Sequence, residues 1–148
     1  MAFHVRRQIR DAVLAKLLNL ATTGINVFAD RVYPLADEEL PALMIKTESE
    51  SSQPNALMAS RLMQRDLTIN VSAYVKTVSN LDNTLDQICK EVEIALAADT
   101  SLGGLTKDLY LTATNMTLDG SGEKPRGLTE MLFTASYYVR ETAPDVAL

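Results

Sequence analysis

The chain has 148 residues, of which 47% are hydrophobic and 22% charged, with a formal net charge of −5. That is enough chain for one domain (1–148) with its own core, needing neither disulfide nor metal, and the acidic balance argues against broad nucleic-acid binding. The single cysteine, Cys89, leaves no intramolecular disulfide and fits a reducing compartment. No apolar run approaches the roughly 20 residues of a membrane helix, and MAFHVRRQIRD lacks the apolar stretch of a secretory signal.

The first element is a helix over Phe3–Leu20. Val5, Ile9, Val13, Leu17 and Leu20 recur at steps of four or three, with the charged Arg6, Arg7, Arg10 and Lys16 largely outside the stripe. Gly24 supplies a stop. Ile25–Phe28 reads as a short strand, followed by Arg31–Pro34 and an acidic run, Asp37-Glu38-Glu39, closed by Leu40-Pro41. Ala42–Thr47 reads as a strand on its consecutive Leu43, Met44 and Ile45. Thr47–Asp66 reads as a long polar arm, far longer than a turn between strands needs, with Leu57, Met58, Leu62 and Met63 on its second half.

Strict alternation begins at Asp66. Leu67, Ile69, Val71, Ala73 and Val75 point one way and Thr68, Asn70 and Ser72 the other, the pattern of a strand with one wet face. Ser79 or Asn80 opens a second helix, Leu81–Ala98, whose apolar face is Leu81, Leu85, Ile88, Val92 and Leu96, with Cys89 and Ala95 beside it. Leu102-Gly103-Gly104-Leu105 ends it. Leu109–Leu118 alternates again, DGSGEKPRG (119–127) is a hairpin connection, and Leu128–Arg140 is a final long strand rich in β-formers. Residues 141–148 are expected to fray. The order predicts an α+β two-layer fold, a mostly antiparallel or mixed β-sheet with two α-helices packed on one face.

Residues that carry chemistry are sparse. His4, the one histidine, stands among arginines and reads as a surface residue. Cys89 lies on an apolar helix face, where a free thiol is usually a small hydrophobe, and no third group orients a Cys–His pair. Asp82 with Asp86 and Glu91 with Glu93 read as a solvated helix face, and no carboxylate set has metal-ligand spacing. Gly120–Lys124 lacks the spacing of a phosphate loop, and Pro125 follows its lysine. The residues therefore point to no catalytic site, no cofactor and no metal. The exposed cations and the arm offer a candidate interface instead: Arg6, Arg7, Arg10, Glu48, Glu50, Leu57, Met58, Arg61, Leu62, Met63, Lys124 and Arg126.

The order of elements carries a likeness. It consists of an opening helix, Val27-Phe28, the acidic-Leu-Pro-apolar segment Asp37–Ile45, a long polar arm, Leu67–Val71 running into Tyr74-Val75, a helix with Leu85, Ile88 and Val92 before Leu102–Leu105, and a close on Tyr137-Tyr138-Val139. The chain so arranged resembles the tail terminator family of long-tailed bacteriophages, the group of the phage lambda minor tail protein U. The resemblance implies a non-enzymatic virion assembly protein, made in the host cytoplasm and sited at the head-proximal end of the tail. It implies a hexameric ring that caps the tail tube, stops its polymerisation, docks the head-side connector and lets DNA pass without specific binding. The partners so implied are further copies of the chain, the tail tube protein and the connector, with no membrane. A tail-completion or head-tail connector protein of the same fold is the alternative, and a small α+β enzyme a more distant one.

Overall fold

A computed structural model describes residues 2–29, 35–55, 57, 59–77, 79–119 and 126–148. Their elements run α1 (Val5–Leu17), β1 (Val27–Ala29), a 3-10 turn (Asp37–Glu39), β2 (Ala42–Pro54), β3 (Leu62–Lys76), α2 (Leu81–Ala97), a 3-10 turn (Leu102–Gly104), β4 (Asp108–Asp119) and β5 (Arg126–Arg140). The strands form one sheet in the order β1-β2-β3-β5-β4, parallel between β1 and β2 and antiparallel elsewhere. The fold is α+β with both helices on one face of a mixed sheet, as the periodicities predict.

Helix α1 buries Val5, Ile9, Val13 and Leu17. Each such side chain contributes about 1.5–3 kcal/mol by leaving water, against about 1 kcal/mol for a helix cap, so burial sets where the helix lies. His4 provides the cap: its Nδ1 accepts the amide N–H of Arg6 at 3.0 Å. The helix stops at Leu17 rather than near Leu20. Asn19 takes a left-handed φ of 64° there, a conformation asparagine tolerates, and Gly24 closes the following turn at φ 57° by donating to Leu20 O. The core continues through Leu67, Ile69, Val71, Ala73 and Val75 of β3, Leu85, Ile88, Val92 and Leu96 of α2, and Met131, Phe133, Ala135, Tyr137 and Val139 of β5. Asn80 stands at the start of α2 in a left-handed conformation, but its side chain makes no capping bond.

Three expectations change. The Thr47–Asp66 arm is largely strand: β2 runs on to Pro54 and β3 starts at Leu62, and the pair stays in register from Ser49↔Thr68 to Pro54↔Met63. Behind it β5 pairs with β3 as far as Leu62↔Arg140, so ladder hydrogen bonds hold this stretch, polar as it is. The outer face of β3 is not wet at its middle. Asn70 and Ser72 are buried there, and Asn70 donates to Glu48 Oε1 at 2.8 Å and Glu130 Oε2 at 2.7 Å while accepting from Ser72 at 2.6 Å. Residues 141–148 do not hang free: Leu148 N donates to Tyr138 O at 3.0 Å, Val5 N to Pro144 O at 3.0 Å, and Ala147 packs on the core. Arg31–Pro34 and most of the 119–127 tip lie outside the described residues; Arg126 and Gly127 open β5.

Two carboxylates tie the helices to their surroundings. Asp99 accepts from the Ser101 hydroxyl and the Gly103 amide and meets Lys16 of α1 at 3.2 Å; those hydrogen bonds, Ser101's first, hold its pKa below the ordinary 3.8. Gly103 and Gly104 supply the positive φ values, 70° and 99°, that this turn needs. Burial alone would raise Glu91, but bonds from the Thr22 hydroxyl and amide and from Gln87 bring it below its ordinary 4.5. Both groups are lowered in the folded state, so their stabilisation is whole above the unfolded values and is lost as pH falls through the folded ones. Chemical denaturation should therefore show an acid limb beginning near pH 4.5, and Asp99→Asn should be less stable at pH 6 yet lose less on acidification. An equally steep limb in the variant would contradict this assignment.

Candidate functional interfaces

The bulge in β2 decides which side chains meet α1. Pairing passes from Thr47↔Ile69 to Ser49↔Thr68, leaving Glu48 as the extra residue. Simple alternation from Leu43, Ile45 and Thr47 would put Ser49 on the helix face; after the bulge it is Glu50 that lies there. Its side chain is only 8% exposed and gathers two donors, Arg6 Nη1 at 2.9 Å and the Tyr137 hydroxyl, with the Arg65 guanidinium as an ion-pair partner at 3.6 Å. Arg65 also reaches His4 Nε2 at 3.1 Å. Burial, reinforced by the bond to Glu50, pushes the Tyr137 phenol well above its ordinary pKa, so it stays a neutral donor. His4 is partly buried rather than a surface residue, and its pKa is lowered by burial and then by Arg6 and Arg65.

The candidate interface residues divide between several places. Arg6 and Arg10 lie toward β2, Arg10 Nη1 donating to Thr47 at 3.4 Å. Arg7 stays exposed, stacked 3.6 Å from the centre of the Phe3 ring. Glu48 faces the opposite side of the sheet from Glu50, bonded to Asn70 and 3.7 Å from Lys46. Leu57 is 94% exposed in the β2–β3 connection, where Arg61 pairs with Glu141. Leu62 and Met63 are not exposed but half-buried strand residues, and Met63 packs on the core because it shares the helix-facing side of β3 with Leu67. Arg126 sits at the other end of the sheet, 3.9 Å from Asp37, which also meets Lys76 at 2.9 Å. Met58 and Lys124 lie outside the described residues. The structure thus gathers Arg6, Arg10 and Glu50, and leaves Glu48, Leu57 and Arg126 elsewhere.

A second surface escaped the sequence reading. Between α2 and β4 runs a groove with two depressions of about 250 and 320 Å³. The first is lined by Leu96, Leu109, Tyr110, Leu111 and Phe133 with Glu93, the second by Leu85, Met116 and Leu118 with Asp82 and Asp86. Met116 (67% exposed) and Leu118 (53%) point to the helix side of β4 and are left largely uncovered. Asp82, Asp86 and Glu93 follow one line along α2 and rim the groove. Alternation in β4 implied one wet and one buried face, yet Thr112–Leu118 is exposed on both, because β4 is the last strand of the sheet and α2 runs beside its far half without covering it. Cys89, on the same flank of α2, has its thiol pushed up to about 11 by burial and by the nearby Glu93 and Asp86, so it is protonated at neutral pH.

The Glu50 cluster makes a prediction. Glu50→Ala leaves Arg65 and Tyr137 facing a buried site without their acceptor and should cost about 3 kcal/mol. Tyr137→Phe removes one donor and should cost about 1 kcal/mol. Urea denaturation measures both; equal small losses would show that the cluster contributes little to docking α1.

A search of curated proteins finds no match. Among solved structures, a chain of the "virion of native gene transfer agent (GTA) particle" shares the fold, with a TM-score of 0.50, 20% identity and coverage of 92% of each chain. The sequence profile described as phage minor tail protein U matches residues 4–124, from the His4 cap through both helices and β4. This chain belongs to the phage minor tail protein U family, and is a structural protein of the phage tail.

Proposed function

We propose that the chain is a tail terminator: a non-enzymatic protein that assembles as a six-membered ring on the head-proximal end of the tail tube, stops its growth and presents the docking surface for the head-side connector. The observation that carries this reading is the family match over residues 4–124. The fold shared with a chain of a gene transfer agent virion agrees with it. So does the distribution of exposed groups. One edge of the sheet is bordered by Arg6, Arg7, Arg10 and Lys46, three of them paired with Glu50, Asp11 and Glu48, the other by Asp82, Asp86 and Glu93. Two unlike edges on one protomer suit a head-to-tail contact, the kind that closes a ring. The net charge of −5 suits a lumen through which DNA slides without being gripped. Leu57, exposed at the hairpin connection between β2 and β3, is a candidate contact with the tube or the connector, assembled in the host cytoplasm before the head docks.

Particles lacking the protein test this. A terminator predicts tails much longer than normal and without heads, with normal length restored by adding the protein. Tails of normal length beside filled, unattached heads would instead assign it to the connector layer of the same joint.

A further inference from the structure

We infer that the groove between α2 and β4 receives the α1–β2 edge of a second copy of this chain, so that neighbours in the assembly meet through opposite edges of the same sheet. The inference rests on the ring reading above and adds the contact that would build it. The groove has what a docking surface needs: an apolar floor left open at Met116 and Leu118, and an acidic rim of Asp82, Asp86 and Glu93. The far edge of the protomer offers the complement. There Arg7 is exposed on the helix side with its guanidinium over the exposed Phe3 ring, and Lys46 is exposed on the opposite face of β2. The ion pairs these cations make within the chain are exposed and loose, 3.7 Å to Asp11 and 3.7 Å to Glu48, and exchange readily for partners across an interface.

Charge also selects the occupant. Two copies meeting groove to groove would bring Asp82, Asp86 and Glu93 of one against the same residues of the other, a like-charge contact that disfavours a two-fold dimer. The groove meeting the opposite edge is attractive and heterologous, and it repeats. Neither open edge is a regular strand ladder. β1 covers β2 only at Leu43–Ile45; beyond it β2 carries its bulge at Glu48, and β4 carries a register shift between Leu111 and Ala113, both devices that discourage direct strand pairing. The contact is therefore made by side chains seated in the groove, with acids and cations around it, rather than by one sheet continued across subunits.

A charge swap tests it. Asp86→Lys/Glu93→Lys changes only the groove and Arg7→Glu/Lys46→Glu only the opposite edge; all four residues are on the surface, and thermal melting confirms that each variant folds. Multimers are read by cross-linking and native mass spectrometry, in free solution and on tail tubes. Each variant alone should lose the multimer that the natural chain forms, and an equimolar mixture should restore it with the two variants alternating. Either variant assembling alone as well as the natural chain, or a mixture that stays unassembled, overturns the contact while leaving the ring reading intact. A natural chain that forms no multimer in either setting overturns both.

Discussion

Everything on the α1 side of the molecule depends on one carboxylate being turned inward. Glu50 lies in a run of polar residues that would be solvated in an isolated strand. The extra residue Glu48 reverses the side on which it falls and sets it beneath the start of α1, where Arg6, Arg65 and Tyr137 converge on it. A charge taken out of water is costly unless its partners replace the lost hydration. Here two guanidinium groups and a neutral phenol do so, and the cluster acts as a latch between the helix and the outer half of the β2–β3 hairpin. The apolar stripe of α1 supplies most of the energy of docking; the Glu50 cluster supplies the register.

The latch also explains the unequal edges of the protomer. Because Arg6 and Arg10 are drawn toward β2, the basic side of α1 is presented along that edge of the sheet. At the other edge α2 turns its Asp82–Asp86–Glu93 line toward β4 and stops short of covering Met116 and Leu118. A protein built to act alone would leave such a strand short or shielded. The asymmetry agrees with the proposed ring, and it is the reason the proposed subunit contact is placed between those edges.

Much of this was legible in the residues, and the parts that were not have identifiable causes. The two helices and strand β3 follow from hydrophobic period and β5 from its run of β-formers, and each buries one apolar face in one continuous core. The hairpin at 47–66 does not show in the sequence because its helix-facing side carries Glu50, Ser52 and Arg65 in place of an apolar alternation. Hydrogen bonding to β3, with β5 behind it, makes it strand, and no local period reports that. Leu62 and Met63 looked uncovered for the same reason. The bulge at Glu48 leaves no mark in a sequence, so the pairing of Glu50 with Arg6 needed coordinates. The α2–β4 groove was hidden differently: its acids looked like an ordinary solvated helix face, and only the place of β4 as the last strand shows that the apolar residues beside them are open.

The most direct measurement is electron microscopy with image averaging of tail tubes capped by the purified protein, at a resolution that separates helices from strands. The account predicts one ring at the tube end, six protomers, and each protomer's α2–β4 groove against the α1–β2 edge of the next. Tube ends that bind no ring, or a ring whose neighbours meet through the outer face of the sheet, would contradict it.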